Sequence, residues 1–283
     1  INVGRCPLYL LDTNLAENLP QYRDLTLRVY GGDSTTRIQQ EMLLGIGGVK
    51  LLRALNLQPA VFHMNEGHAA FLSLELIHEK MAGDVGFDAA LATTKNECIF
   101  TTHTPVPAGH DRFPAELMSY SLSRYKKGLQ LDHTKLMALG RVNPDDGDEQ
   151  FCMTVLALKT SRAVNGVSEL HGEVSREMWS ALEGGVPRID HITNGIHLLG
   201  WMKAEAREFW KPRLQAAVPD KNHFYERIND AEFWQRVEDP DFISDEEIWS
   251  LRCRLRRELV DFARERLIDN PPSRDGDFIS YDH

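Results

Sequence analysis

Cysteine is scarce in this sequence and never paired closely. Cys6, Cys98, Cys152 and Cys253 lie far apart with no CxxC, which argues against a zinc knuckle or a dense disulfide framework and fits a reducing cytoplasm. Runs of lysine and arginine are missing too. With 32 basic against 42 acidic residues and a net charge of -10, the chain lacks the clustered cations that a nucleic-acid binder needs to neutralise phosphates. No apolar run is long enough to span a bilayer and no signal-peptide pattern opens the sequence, so no membrane partner is expected. Internal repeats and low-complexity tracts are also absent. What remains is ordinary soluble material: 283 residues, 42% hydrophobic and 26% charged, enough for one large domain or two small ones.

The most informative stretch is 98–113, CIFTTHTPVPAGHDRF. Residues 98–102 are a short β-favouring run that stops at His103. Pro105 and Pro107 then fix φ at their own positions and bias the residues before them away from helix. The pattern predicts a strand delivering a histidine to a stiff loop, which is where open α/β sheets hold ligands. A histidine there can also simply cap a turn, so its company decides between the two.

Taken in order, residues 6–11 form an apolar run ending at Asp12, Thr13 and Asn14, and read as a first strand. Tyr30, Gly31, Gly32, Asp33 and Ser34 supply a turn and an N-cap. Ile38, Met42, Ile46, Val49 and Leu52 follow at helical spacing, predicting a helix to about Leu55. Gly45, Gly47 and Gly48 inside it cost roughly 1 kcal/mol each relative to alanine, which predicts close packing on a neighbouring backbone. Further short strands are expected at 60–64, 98–102, 163–168 and 189–192, separated by polar turns and helices. That alternation predicts an α/β fold with a Rossmann-like parallel sheet and flanking helices. Asp12, residues 65–68, His103, residues 168–171 and Asn194 then fall just past strand ends, where five loops can converge on one crevice.

Past Trp201 the chain becomes long, charged and helical. Ser244 is the expected N-cap of the last helix, with Glu246 and Glu247 in its first turn, and Arg252, Arg254, Arg256 and Arg257 read as a solvated face. Residues 270–283 read as linker and tail. The expected organisation is 1–202, 203–269 and 270–283.

Three chemistries are worth testing against these residues. His63 and His68 suggest zinc at a glance, but they are five apart, and about 500° of helical rotation puts them on different sides of a helix; no metal is expected. A hydrolase triad of Ser168, His103 and Asp33 lacks a GxSxG elbow. Asn, His, Asp and Glu at loop ends, with few cations, suit a neutral hydroxyl-rich ligand such as a sugar. Trp179 and Trp201 could stack on its rings or belong to the core.

Five segments occur in order: RIQQEMLLGIGG, FHMNEGHAAFLSLELI, FTTHTPVPAGHDRF, VNGVSELHGEVSREMW and HITNGIHLLGW. On them the sequence resembles the α-glucan (glycogen, maltodextrin, starch) phosphorylases, in particular their bacterial long-form branch, from about residue 3 to 201 and more loosely to about 267. The resemblance implies the GT-B architecture, two Rossmann-like domains facing a cleft. It also implies a retaining glycosyltransferase that degrades α-1,4-glucans with orthophosphate to glucose 1-phosphate, using pyridoxal 5'-phosphate. Matched residue by residue, His103 and Asn194 are sugar-positioning groups at the catalytic subsite, and His103 is the catalytic-site histidine. Gly31, Gly32 and Asp33 match the mobile loop that gates the subsite. Arg37, Glu66, His68, Asn165 and His171 match supporting positions.

The resemblance further implies that this is a fragment, the later part of the first domain plus connecting helices. The cofactor's lysine and the phosphate-binding cations are then expected after its end, and a glycine-rich phosphate loop before Ile1, so that no cofactor-binding residue is expected here. The partners it implies are α-1,4-glucan, orthophosphate, the missing second domain and, within what the family allows, a second copy in a homo-oligomer. Two alternatives stay open: a non-catalytic carbohydrate-binding module of the same origin, and a glycogen synthase-like transferase using a nucleotide sugar.

Overall fold

The computed structural model describes residues 1–28, 32–83, 85–182, 184–221 and 223–269. The chain divides into two units, Ile1–Asn194 and Gly195–His283. Among the described residues of the first, the strands occur in the order β1 (Asn2–Val3), β2 (Cys6–Pro7), β3 (Phe62–Asn65), β4 (Cys98–Thr101), β5 (Arg112–Phe113), β6 (Phe151–Cys152), β7 (Ala163–Gly166) and β8 (Ile189–His191). β3, β4, β7 and β8 lie side by side in that order, every pairing parallel. The remaining four make two small antiparallel pairs.

The parallel sheet forms because its strands alternate or bury outright. In β3, Phe62 and Met64 are buried while His63 and Asn65 are exposed, and in β4 Cys98, Phe100 and Thr101 are all buried. Met64, Phe100, Val164 and Ile189 pair across the four strands as one buried row. Helices complete the core: Phe71–Met81 buries Phe71, Leu74, Leu76 and Ile77, and Met153–Lys159 buries Met153, Val155, Leu156 and Leu158.

The expected first strand is corrected. Only Cys6 and Pro7 of that run pair, with the neighbouring Asn2 and Val3, and Leu8, Tyr9 and Leu10 stand exposed. Pro7 has no amide to donate to a ladder, which removes the run from the interior of a sheet. Asp12 therefore marks no sheet edge; its carboxylate accepts from the Asn14 amide at 2.9 Å and the Thr26 hydroxyl at 3.1 Å. Four strand-end loops gather, not five.

The helix Ser34–Ala54 begins at Asp33, as its pattern predicts. Its glycines divide. A Cβ at Gly45 would stand 2.7 Å from the Leu72 amide nitrogen and 3.0 Å from the Phe71 carbonyl carbon, so two helix backbones meet there. Gly47 has only ordinary contacts and Gly48 has nothing within 4 Å, which corrects the packing expected of them. Gly45→Ala is accordingly expected to destabilise by about 1–3 kcal/mol through overpacking, whereas Gly48→Ala should stabilise by roughly 0.5–1 kcal/mol through helix propensity. Urea melts of the two variants check this; equal effects would refute the close approach.

The unit Gly195–His283 has its own small core of Trp210, Leu214, Ile228, Phe233 and Ile243, with the Trp210 and Trp234 rings edge to face at 5.2 Å. Its helices are Leu198–Trp201, Ala204–Ala217, Phe224–Ile228, Ala231–Arg236 and Asp245–Asp269. Ser244 caps the last one reciprocally: its hydroxyl accepts the Glu247 amide at 3.3 Å, and the Glu247 carboxylate accepts the Ser244 amide at 3.2 Å. Arg252, Arg254, Arg256 and Arg257 are exposed. The expected linker and tail, 270–283, lie outside the described residues. All four cysteines are free. Among the described residues no helix is long and apolar enough to cross a membrane.

Candidate functional site

Parallel pairing puts the carboxyl ends of β3, β4, β7 and β8 along one edge. His103 stands there, exposed, two residues past β4. Its Nε2 lies 2.5 Å from Asn65 Oδ1 at the end of β3. An amide oxygen only accepts, so in this bond Nε2 is the donor. The His103 amide donates to Glu66 Oε2 at 2.6 Å, and the Thr104 hydroxyl donates to the same oxygen at 3.1 Å. Glu66 thus ties the loop after β4 to the loop after β3.

A polar chain runs beneath this pair. His63 Nε2 lies 2.8 Å from Thr101 Oγ1, and that hydroxyl donates to Asn165 Oδ1 at 2.9 Å. Since the hydroxyl has one proton and gives it to Asn165, His63 donates from Nε2. Asn165 also accepts the Thr102 amide at its backbone oxygen, 3.0 Å away. Farther along the edge, the Asn194 amide donates to the Val167 carbonyl at 3.1 Å, which brings this exposed asparagine beside the end of β7. His171 is buried against the same strand: its Nδ1 accepts the Val167 amide at 3.3 Å, and a Cβ at Gly166 would come within 2.6 Å of that nitrogen. Glycine is what lets the ring lie there.

A second cluster supports the loop that follows His103. Arg37, one turn into the helix Ser34–Ala54, donates to Asp111 from Nη2 at 2.9 Å and from Nε at 3.2 Å, and its Nε lies 2.9 Å from Glu41 Oε1. Glu41 is only 1% exposed. Burial, reinforced by the charge of Asp111, pushes its carboxyl up to about 9, so it is neutral at physiological pH. Burial also works to raise Asp111, but hydrogen bonds from Arg37 and Glu41 outweigh it and hold this carboxyl below the ordinary value. His68 is pushed down by burial and then by the Arg37 charge. A cavity of about 390 Å³ opens beside Arg37, Glu41 and His68.

Other expected residues are placed differently. Asp33 is exposed and accepts the Thr36 amide at 2.9 Å, a bond that lowers its carboxyl and caps its own helix. Gly32 has φ +87, a conformation that favours glycine, and Gly31 lies outside the described residues. The Ser168 hydroxyl accepts the His171 amide at 3.2 Å as a helix cap, so Ser168 and Asp33 both serve as caps and the suggested triad is not assembled. His63 is on a strand and His68 in the turn Gly67–Ala69, and among the described residues no three His, Cys, Asp or Glu groups converge as a metal would need. Trp179 is buried, its ring 5.0 Å from that of His110. Trp201 is 86% exposed, in the other unit.

The sequence placed Asn65 at a strand end without a partner for it, and Glu41 and Asp111 were not singled out. Asn65 closes the alternation FHMN as its last outward residue, and Glu41 is an acid on the apolar face of a helix four residues after Arg37; both signals were present. The partnership of Asp111 with a residue 74 positions away had no local signal.

The assembled groups, an imidazole, amides, a carboxylate and hydroxyls, are suited to exchanging hydrogen bonds with hydroxyls. The family model of carbohydrate phosphorylases matches residues 50–264. The chain belongs to this family. It is 40% identical over 271 residues to the maltodextrin phosphorylase of Thermococcus litoralis, a match covering 94% of this chain and 31% of that protein. Against the glycogen phosphorylase of Mycobacterium tuberculosis it is 39% identical over 284 residues, again 94% and 31%. Against that of Aquifex aeolicus it is 33% identical over 268 residues, 94% and 37%. The chain therefore spans about a third of the length of these phosphorylases. Glu66, His103, Asn165, His171 and Asn194 lie inside the family match, and Asp33, Arg37 and Glu41 precede it.

Proposed function

We propose that this chain forms the sugar-facing part of an α-1,4-glucan phosphorylase, holding the glucosyl unit whose bond is broken. The observation that carries the reading is the His103, Asn65 and Glu66 constellation at the carboxyl edge of the sheet. In phosphorolysis the bond from C1 to the glycosidic oxygen breaks, orthophosphate oxygen bonds to C1, and the released 4-hydroxyl gains a proton. His103 and Asn194 orient the glucosyl unit for that exchange, the contribution that near-attack geometry makes to rate. The fold reading extends accordingly: the parallel sheet is part of one face of a GT-B cleft, and the facing domain is the partner.

Pyridoxal 5'-phosphate, the cofactor implied by family, needs an amine to hold its aldehyde and cations for its phosphate. The groups at this edge do not fit it. Arg37 is paired to Asp111 and Glu41, and His103, Asn65, Glu66, Asn165 and Asn194, the groups described at the edge, include no amine.

Titration of the 283-residue chain with maltoheptaose tests the reading. His103→Ala is expected to weaken binding by roughly tenfold or more, the loss of one to two hydrogen bonds to a desolvated sugar. The side chain is exposed, so melting should hardly change. Equal affinity of parent and variant would sink the assignment, and glucose 1-phosphate formation by the isolated chain would overturn the division of labour.

A further inference from the structure

Glu66 occupies a backbone conformation that almost only glycine adopts. Its φ is 76 and its ψ 164, a region where a side chain is strained and which proteins keep chiefly where surrounding contacts enforce it. Those contacts are visible here. Its amide donates to the Thr101 carbonyl at 2.9 Å, at the end of β4. Its carboxylate accepts from the Gly67 amide at 3.1 Å, from the Thr104 hydroxyl at 3.1 Å and from the His103 amide at 2.6 Å. The strand just before it ends in Asn65, which holds the His103 ring. Two consecutive residues thus grip one histidine, one by its ring and the other by its main chain.

A turn residue serving only its own loop would need the Gly67 bond and no more. Glycine would satisfy the backbone there without strain. The strained glutamate is explained by what glycine could not do, which is reach across to the loop after β4. We propose that Glu66 is the positioning residue of His103: its carboxylate fixes the main chain of the histidine while the kink it imposes aims Asn65 at the ring. This deepens the sugar-facing reading and rests on it for the ligand, but the grip on His103 is testable without any ligand.

The test compares Glu66→Gly and Glu66→Gln in the 283-residue chain. Ring nitrogens are labelled, and the His103 signal is assigned among the 11 histidines by its loss in His103→Ala. In the parent the Nε2 proton, bonded to Asn65, should appear as a protected downfield resonance. In Glu66→Gly relief of strain offsets the lost bonds, so melting should stay close to that of the parent while the protected resonance disappears and maltoheptaose binding weakens by roughly tenfold, the scale of one charged hydrogen bond. Glu66→Gln keeps one oxygen of two and should show a partial loss of both. If Glu66→Gly fails to fold, Glu66→Gln decides alone. A His103 signal unchanged in whichever variant folds overturns the proposal. Should the parent itself not bind maltoheptaose, the sugar reading fails, and the ring signal still decides the role of Glu66.

Discussion

Arg37→Ala is expected to destabilise the unit Ile1–Asn194 by about 2–3 kcal/mol at pH 7, because it leaves the half-buried Asp111 carboxylate without its cation, and by much less near pH 4. The argument rests on Glu41 and Asp111. Glu41 has its folded pKa raised from the ordinary 4.5 to about 9. Between those values the folded state keeps a proton that the unfolded state has released. Stability from this group is therefore complete below about pH 4.5 and falls as pH rises toward 9, by about 3 kcal/mol at pH 7. Asp111 runs the other way: its folded carboxyl lies below the ordinary 3.8, so its contribution is present above that value and is lost in acid. Removing Arg37 takes away the group that lets Asp111 stay charged beside the already protonated Glu41, and Asp111 then needs a proton as well. Acid supplies it, which is why the damage should shrink at low pH. Glu41→Gln is the companion variant. It replaces a neutral acid with a neutral amide, so it should flatten the fall of stability between pH 6 and 9 by roughly 1–3 kcal/mol and gain nothing at pH 4.5. Urea melts from pH 4 to 9 read both. An Arg37→Ala penalty independent of pH would mean that the cluster is held by packing and not by charge.

The residues explain why some of this was legible in the sequence. His103 could be found because an apolar run stopping before two prolines has few other meanings, and the parallel sheet because four such runs recur with helices between them. The loop ends at Asn65, His103, Ser168 and Asn194 then followed from parallel pairing alone. Residues 6–11 misled because hydrophobicity marks burial or pairing in a complete environment, whereas Leu8 and Leu10 are exposed here at 45% and 67%. Gly45 and Gly48 look identical along the chain and differ only in what lies opposite. Glu66 was visible as a polar strand-end residue, but its strain was not, since nothing in the letters NEG distinguishes a helical turn from a kink at φ 76.

Phe100→Ala is expected to cost about 3–5 kcal/mol, the range for emptying a large buried aromatic site. Phe100 is fully buried in β4, a strand with neighbours on both sides, and its register partners Met64 and Val164 are buried as well. A cavity there cannot be filled from solvent, and collapse would require the two flanking strands to shift together. The same strand carries the site. Thr101 and His103 follow directly, and the Glu66 amide bonded to the Thr101 carbonyl and the Thr102 amide bonded to the Asn165 carbonyl pin its end on both sides. Amide exchange at Glu66 and Thr102 should therefore quicken along with global unfolding in Phe100→Ala. Phe100→Leu, which restores most of the volume, should cost roughly 1 kcal/mol and leave both amides protected. Val106→Ala, at a residue 53% exposed, provides the surface comparison with little effect expected. Loss of amide protection without loss of global stability would place the weakness in the loop ends alone; a small cost on both measures would mean that the sheet tolerates a hole at its centre, so that the geometry of His103 depends on Glu66 and Asn65 and not on the core beneath them.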